Sequence, residues 1–218
     1  MPALEITNDI AVLNLGDDEN RFSPDWLDAV NGFLDRVESG DAKALVTTGD
    51  GKFYSNGLDL DWLGAHSDRG DWYIDRVHQL LARVLVAPVP TVAAINGHAF
   101  GAGSMLAIAH DFRIMRADRG YFCFPEVDIH IPFSPGMAAI IQAKLTPAAA
   151  VEAMTTGRRY GGADAEAIGL VTASAPQDKV TSAAVDLVTP LTGKDPGTLQ
   201  AIKSTMFATV TAALRGKA

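Results

Sequence analysis

The stretch Pro-Thr-Val-Ala-Ala-Ile-Asn-Gly-His-Ala-Phe-Gly-Ala-Gly, at residues 90–103, combines an apolar run with a glycine-rich turn. Thr91–Ile95 predicts a buried strand, and Asn96-Gly97 predicts a turn out of it. The small residues of 101–110 predict a helix. Glycine lets a ligand approach the main chain closely, and the first turn of a helix leaves N–H groups without intrahelical partners. The stretch therefore predicts an α/β fold with backbone donors at the start of a helix.

Strands and helices alternate on both sides of this stretch. The predicted elements, in chain order, are strands at 4–7, 10–15 and 43–48, helices at 24–40 and 69–86, strands at 112–115 and 121–124, and helices at 135–145, 147–156, 163–168, 177–192 and 196–214. Such alternation predicts an α/β core with crossover connections. We expect residues 1–175 to form this core. We expect residues 176–218 to form a helical region that packs on the core or on a neighbouring subunit.

Composition narrows the classes of function. The chain has 218 residues and a formal net charge of −8, and an acidic surface argues against nucleic-acid binding. No apolar run approaches the ~20 residues of a membrane span, and the acidic first residues do not resemble a signal peptide. The single cysteine, Cys123, excludes an intrachain disulfide, and His66, His78 and His110 lack metal-ligand spacing. We expect a cytoplasmic protein without metal, membrane or nucleic-acid partners.

A second glycine-containing segment follows the strand predicted at 43–48. It reads Phe-Tyr-Ser-Asn-Gly-Leu-Asp-Leu and spans Phe53–Leu60. If N–H groups from this segment and from the turn at 96–103 converge on one point, they form an oxyanion hole. The residues alone leave open that both segments are ordinary turns, where glycine is common.

Glu126 stands out in the segment Phe-Pro-Glu-Val-Asp-Ile, residues 124–129. A carboxylate beside Phe124 and Ile129 is poorly solvated, and desolvation raises the pKa of a carboxyl group. A pKa near neutrality suits a group that accepts a proton and then returns it. The alternative that the residues leave open is a glutamate at a strand end that points into water.

Together, the three segments at 53–60, 90–111 and 124–136 resemble those of the enoyl-CoA hydratase/isomerase (crotonase) family. Their order and spacing agree with the family over about residues 4–175. The resemblance implies a crotonase-like spiral of repeated ββα units with C-terminal helices. It also implies a coenzyme A thioester as the substrate, no separate cofactor, a role in fatty acid metabolism and assembly into homotrimers or hexamers.

The resemblance assigns roles to individual residues. The N–H groups of Leu58 and Ala102 would hold the thioester oxygen, and Glu126 would be the acid/base. The substrate-binding residues that it implies are Asn20, Arg21, Ser55, Asn56, Gly57, Leu60, Phe100, Gly101 and His130. His130 stands where the family usually has glycine, and it could line the acyl pocket, share the proton of Glu126 or be structural.

Met105 departs from the pattern of the hydratases in the family, which place a second glutamate at this position. Methionine can neither accept a proton nor orient a water molecule. The remaining single glutamate resembles the arrangement in the isomerases that shift a 3-enoyl-CoA double bond to the 2-position. An isomerase is therefore the first hypothesis. The alternatives are a hydratase, acyl-CoA hydrolase or decarboxylase of the same fold, and a non-catalytic acyl-CoA-binding protein.

Overall fold

The computed structural model describes residues 1–216. These residues contain two β-sheets. The strands in this range are β1 (Ala3–Thr7), β2 (Ile10–Asn14), β3 (Ala44–Thr48), β4 (Phe53–Ser55), β5 (Thr91–Ile95), β6 (His98–Phe100), β7 (Phe112–Arg116), β8 (Phe122–Cys123) and β9 (Ala173–Ala175). The larger sheet has the order β1-β2-β3-β5-β7-β9, and the smaller sheet has the order β4-β6-β8. β1 and β2 form an antiparallel hairpin, and the other neighbouring strands pair in parallel.

Three times in succession, the chain forms a strand of the larger sheet, then a strand of the smaller sheet, and then one or more helices. β3, β5 and β7 lie in the larger sheet, and the strands that follow them, β4, β6 and β8, lie in the smaller one. Helices follow each of these pairs. This arrangement confirms the predicted spiral of repeated ββα units. It also brings the ends of β4, β6 and β8 to one edge, because these three strands run in parallel.

Residues 1–216 form ten α-helices, and five of them begin at a side-chain cap. The ten helices are α1 (Pro24–Arg36), α2 (Leu60–Ala65), α3 (Gly70–Leu85), α4 (Ala102–Ala109), α5 (Pro135–Lys144), α6 (Pro147–Thr156), α7 (Gly162–Ala167), α8 (Val180–Val188), α9 (Pro196–Met206) and α10 (Ala208–Leu214). The hydroxyls of Ser23, Ser134 and Thr146 accept hydrogen bonds from the N–H groups three residues ahead, and a proline follows each of them. Such a cap stabilises a helix by about 1 kcal/mol, and proline fits the first helical position.

The two faces of the larger sheet bury different sets of side chains. Ile10, Val46, Val92 and Ile114 pack with the apolar residues of α8 on one face. The intervening strand residues belong to the main core, which α1, α3 and α4 complete on the other face. α8 therefore covers the sheet, and α10 packs against α5 and α3. None of the helices within residues 1–216 is both long and apolar enough to span a membrane.

Several elements differ from the predictions. The segment 53–60, for which the sequence leaves open an ordinary turn, begins with β4, and α2 begins at its last residue, Leu60. The sequence does not predict β9, because Ala-Ser-Ala lacks the β-branched and aromatic residues that favour strands. β9 forms because it pairs with β7, where Ala173 lies opposite Ile114. The strands predicted at 112–115 and 121–124 do not pair with each other but lie in different sheets.

The last two predicted helices are also interrupted. α8 lies between two short 3₁₀ turns within the range 177–192. The helix predicted over 196–214 breaks at Phe207 into α9 and α10.

Candidate active site

A cavity of about 450 Å³ lies at the edge where β4, β6 and β8 end. The three segments singled out in the sequence meet there because each continues directly from one of these parallel strands. The predicted site residues that line the cavity are Arg21, Asn56, Leu58, Leu60, Phe100, Gly101, Ala102 and Glu126. The fold thus gathers most of the predicted site from four parts of the chain, at positions 21, 56–60, 100–102 and 126.

Gly57 brings the first two segments into direct contact. Its φ is +80°, and a Cβ at this position would lie 2.7 Å from the carbonyl oxygen of Phe100 and 2.8 Å from the nitrogen of Ala102. Within residues 1–216, neither the N–H of Leu58 nor that of Ala102 donates a hydrogen bond. Two unused backbone donors therefore border the same cavity on adjoining segments.

Ser55 and Asn20 hold the first segment in place and do not line the cavity, and their roles as substrate contacts stay predictions. Both are fully buried. The hydroxyl of Ser55 donates to the carbonyl of Asn20 at 2.8 Å and accepts the N–H of Gly57 at 3.0 Å. The amide of Asn20 donates to the carbonyl of Tyr54 at 3.1 Å. Gly57 is packed between the two segments and does not line this cavity, so its role as a substrate contact also stays a prediction.

The second segment is held by the helix that it begins. Gly101, with φ +52°, precedes α4, and Ala102 is the first residue of that helix. The hydroxyl of Ser104 lies 2.6 Å from the carbonyl oxygen of Ala99 and 2.9 Å from that of Cys123, so it joins α4 to β6 and β8. A helix begins here because the small residues let its first turn pack closely against both strands.

Glu126 is a buried carboxyl group with an unused oxygen. The residue is 8% exposed, and its Oε2 has no hydrogen-bond partner. A Cβ on Gly101 would lie 3.4 Å from its Oε1, which places the carboxyl beside the second segment. Burial raises the pKa of Glu126 to about 7, as the sequence predicts. The group can therefore hold or release a proton near neutral pH.

A tight turn fixes the position of Glu126. The carbonyl of Pro125 accepts the N–H groups of Asp128 and Ile129, and the carbonyl of Glu126 accepts the N–H of Ile131 at 3.0 Å. The side chain is thus presented from a turn whose main chain is largely hydrogen bonded.

Glu126 is also the only buried carboxyl among the residues that line this cavity. The other lining carboxylate, Asp61, is exposed and forms an ion pair with Arg21. Asp59 caps α2 through the N–H of Trp62 and does not line the cavity. Met105 is buried in the main core.

Two further predicted substrate contacts are Arg21 and His130, and the structure shows what surrounds each of them. The guanidinium of Arg21 lies 2.5 Å from Glu19 and 2.6 Å from Asp61, so its charge is already paired. His130 does not line this cavity. It adopts φ +58° and lines another cavity together with Glu126 and Met154, so its role as a substrate contact stays a prediction.

Sequence reasoning missed three polar residues of the cavity wall, which are Asp61, Cys123 and Arg159. The guanidinium of Arg159 lies 5.7 Å from the centre of the Phe100 ring, and no carboxylate partner of it is found within residues 1–216. Its only signal was a pair of arginines, at 158 and 159, in an acidic chain. Burial raises the pKa of the Cys123 thiol to about 11, so this thiol stays protonated. No cluster of three or more His, Cys, Asp or Glu able to hold a metal ion occurs in the described part of the chain.

Comparison with known proteins identifies relatives along almost the whole chain. The family model for enoyl-CoA hydratase/isomerase matches residues 5–217. Enoyl-CoA delta isomerase 3 of Arabidopsis thaliana is 39% identical over 207 residues, which cover 89% of this chain and 86% of that protein. A putative enoyl-CoA hydratase of Thermus thermophilus is 32% identical over 209 residues, covering 91% of this chain and 81% of that protein. The crystal structure of a probable enoyl-CoA hydratase of Mycobacterium tuberculosis superposes with a TM-score of 0.92 at 27% identity, covering 99% of this chain and 92% of that one.

Proposed function

The chain belongs to the enoyl-CoA hydratase/isomerase family, and we propose that it is an isomerase that shifts the double bond of a 3-enoyl-CoA to the 2-position. The observation that carries the proposal is the single buried carboxyl in the cavity wall, that of Glu126. The similarity to a plant protein named enoyl-CoA delta isomerase supports the same reaction.

In the proposed mechanism, the thioester oxygen accepts hydrogen bonds from the N–H groups of Leu58 and Ala102. The carboxylate of Glu126 removes a proton from C2, and the electron pair of that C–H bond spreads over a dienolate. Backbone donors aimed at the developing oxyanion stabilise this intermediate, and one such donor commonly contributes about 100- to 1000-fold in rate. The protonated Glu126 then returns the proton at C4. The double bond moves from C3–C4 to C2–C3, and no atom is gained or lost.

A pKa near 7 fits both halves of this cycle. A strongly acidic carboxyl would be a weak base at C2, and a weakly acidic one would not return the proton at C4. Because the proton leaves and returns through one group, a second acid/base is unnecessary.

Hydration requires a group that orients water, and the cavity offers no second buried carboxyl for this task. The side chain at position 105 is a buried methionine, and Asp59 and Asp128 do not line the cavity. The hydratase remains the second candidate because a relative at 32% identity is named a putative enoyl-CoA hydratase.

The proposal also covers the substrate, the cofactor, the cellular location and the assembly of the protein. The substrate is a coenzyme A thioester of fatty acid metabolism, bound along Asn56, Leu60 and Phe100, and no further cofactor takes part. The protein acts in the cytoplasm as a homotrimer or hexamer.

The decisive experiment compares wild type with Glu126→Gln on a 3-enoyl-CoA and follows the conjugated 2-enoyl thioester. We expect the variant to lose at least about 1000-fold in kcat, because glutamine cannot accept the C2 proton. Turnover at the wild-type level would refute the role of Glu126. Parallel assays with a 2-enoyl-CoA, scored for 3-hydroxyacyl-CoA, test hydration, and tight binding of acyl-CoA without any turnover would favour the non-catalytic alternative.

A further inference from the structure

A row of three buried polar side chains, here called the polar row, connects two strands to α4 and does not line the active-site cavity. It consists of Tyr54 in β4, Thr47 in β3 and His110 at the end of α4, each at most 2% exposed. The hydroxyl oxygens of Tyr54 and Thr47 lie 2.7 Å apart, and the Thr47 hydroxyl lies 2.9 Å from Nε2 of His110. Nδ1 of His110 lies 2.8 Å from the carbonyl oxygen of Leu106 in α4. The proposed proton transfer uses none of these groups.

The donors and acceptors of the polar row fit together in only one order. A carbonyl oxygen can only accept, so the ring proton of His110 is on Nδ1 and is donated to Leu106. Burial lowers the pKa of His110 to about 4, so the ring is neutral near pH 7 and its Nε2 is an acceptor. The Thr47 hydroxyl therefore donates its one proton to Nε2, and its oxygen accepts the proton of Tyr54. The hydrogen bonds thus run in one direction, from β4 through β3 to α4.

The two ends of the polar row lie on the elements that carry the proposed oxyanion donors. Tyr54 precedes Leu58, whose N–H is the first donor, by only a few positions on the same segment. His110 follows directly after α4, and the first residue of this helix, Ala102, supplies the second donor. The helix has eight residues, so it is a rigid rod of roughly 12 Å, and a displacement at its end also moves its start.

The other contacts of α4 are mostly apolar and leave its position along its own axis weakly defined. Its buried residues include Met105, Ala107 and Ile108, and contacts of this kind are non-directional. The hydroxyl of Ser104 joins the first turn to β6 and β8. Within residues 1–216, no hydrogen bond joins α4 directly to β4. The polar connection between these two elements therefore runs through Thr47.

We propose that the polar row sets the position of α4 relative to β4, and thereby the separation of the two oxyanion donors, the N–H groups of Leu58 and Ala102. Tyr54, Thr47 and His110 are thus positioning residues. The proposal rests on the function proposed above, because it takes the two N–H groups to act as a pair. Since none of the three side chains lines the cavity, their loss should lower kcat and leave KM nearly unchanged.

The first test compares two substitutions of Thr47 in steady-state kinetics with a 3-enoyl-CoA. Thr47→Val removes the hydroxyl and keeps the branched shape, whereas Thr47→Ser keeps the hydroxyl and loses a methyl group. We expect Thr47→Val to lose about tenfold in kcat, less than the about 100- to 1000-fold of a lost oxyanion donor, because the donors are displaced and not removed. Its KM should stay within about twofold of wild type, since the displaced donors act mainly on the transition state. Thr47→Ser should restore kcat to near the wild-type value.

Two tyrosine variants control for the loss of a buried tyrosine's hydroxyl in general. Tyr54→Phe removes the first donor of the polar row and should lower kcat in the same way as Thr47→Val. Tyr160 is equally buried, but its hydroxyl donates to Glu152 at 3.1 Å and lies outside the cavity wall, so Tyr160→Phe should keep the wild-type kcat. Circular dichroism shows whether each variant is folded, and Tyr54→Phe decides the outcome if Thr47→Val is not.

Nuclear magnetic resonance without substrate tests the polar row separately from the proposed function, so a wild type without isomerase activity would refute only that function. The ring of His110 should be neutral and carry its proton on Nδ1. Thr47→Val should shift the amide signals of Leu58 and Ala102, and Tyr160→Phe should leave them in place. A ring proton on Nε2, unchanged amide signals in Thr47→Val, or an equal fall of kcat in Thr47→Val and Thr47→Ser would overturn the proposal.

Discussion

Burial, and not a neighbouring charge, sets the protonation of Glu126. Desolvation is the main cause that raises the pKa of this carboxyl to about 7, and no charged side chain contributes. Arg21, in contrast to Glu126, has charged partners, because its guanidinium forms ion pairs with Glu19 and Asp61. A buried and unpaired carboxyl is poised to exchange a proton, whereas a paired ion is held in one state.

The raised pKa of Glu126 predicts a pH-dependent cost to stability. The pKa rises from 4.5 to about 7 on folding, so the folded state binds more protons than the unfolded state between these values. The free energy of unfolding therefore falls as the pH rises through this window. Glutamine does not ionise, so Glu126→Gln should be more stable than wild type above pH 7, by at most about 3 kcal/mol, and should gain little at pH 4.

Urea unfolding of both proteins at pH 4, 6 and 8 measures this difference. Glu5→Gln on the exposed strand β1 is the control and should show no comparable trend. A stability difference that stays constant across the three pH values would contradict the burial argument.

At the level of single residues, the sequence predicts the chemistry better than the packing. Glu126 is recognisable because a carboxyl follows an apolar strand and a proline. The structural roles of Asn20 and Ser55 cannot be recognised in the sequence. They depend on hydrogen bonds between residues 35 positions apart, which form only when the chain folds. Arg159 could not be found either, because its place beside Phe100 depends on how α6 and α7 pack.

The contact between the first two segments is the feature on which the proposed donor pair depends. Gly57 packs against the main chain at Phe100 and Ala102, and its φ of +80° is strained for any residue with a side chain. Gly57→Ala would push the two segments apart, because the new Cβ would lie within 2.8 Å of two backbone atoms. We expect kcat to fall at least about 100-fold, the cost of losing one oxyanion donor.

Kinetics with a 3-enoyl-CoA and a thermal unfolding curve test this prediction together. Gly32→Ala in α1 is the matched control, because a Cβ there meets nothing within 4 Å. It should keep full activity and be slightly more stable, since alanine favours helix over glycine. Full activity of Gly57→Ala would rule out a spacing role for this contact.

The larger sheet is easier to predict than the smaller one. β3 and β5 each have five residues, all buried and either apolar or threonine, as expected for parallel strands covered on both faces. β4, β6 and β8 have only three, three and two residues, too few for a period to be read from the sequence. The smaller sheet nevertheless brings the site together, so the order of the motifs could be read from the sequence but their shared edge could not.

The net negative charge of the whole protein repels the proposed substrate, which is also negatively charged. The chain carries a net charge of −8, and a coenzyme A thioester carries several negative charges on its phosphates. Long-range repulsion would slow their association unless the cavity has a local positive potential. Arg21 contributes little to it because its charge is paired, so Arg159 is the cation at the cavity that remains available.

Arg159→Gln should therefore raise KM severalfold and leave kcat nearly unchanged, because the side chain is proposed to attract the substrate and not to take part in the proton transfer. The effect should shrink as salt is raised towards 1 M, where charges are screened beyond about 3 Å. Arg158→Gln is the matched control, since the guanidinium of Arg158 is engaged by Glu152 and Asp164 and lies outside the cavity wall. Steady-state kinetics at low and high salt measure both variants. An equal rise of KM in the two variants, or one that salt does not reduce, would show that Arg159 does not act by attracting the anionic ester.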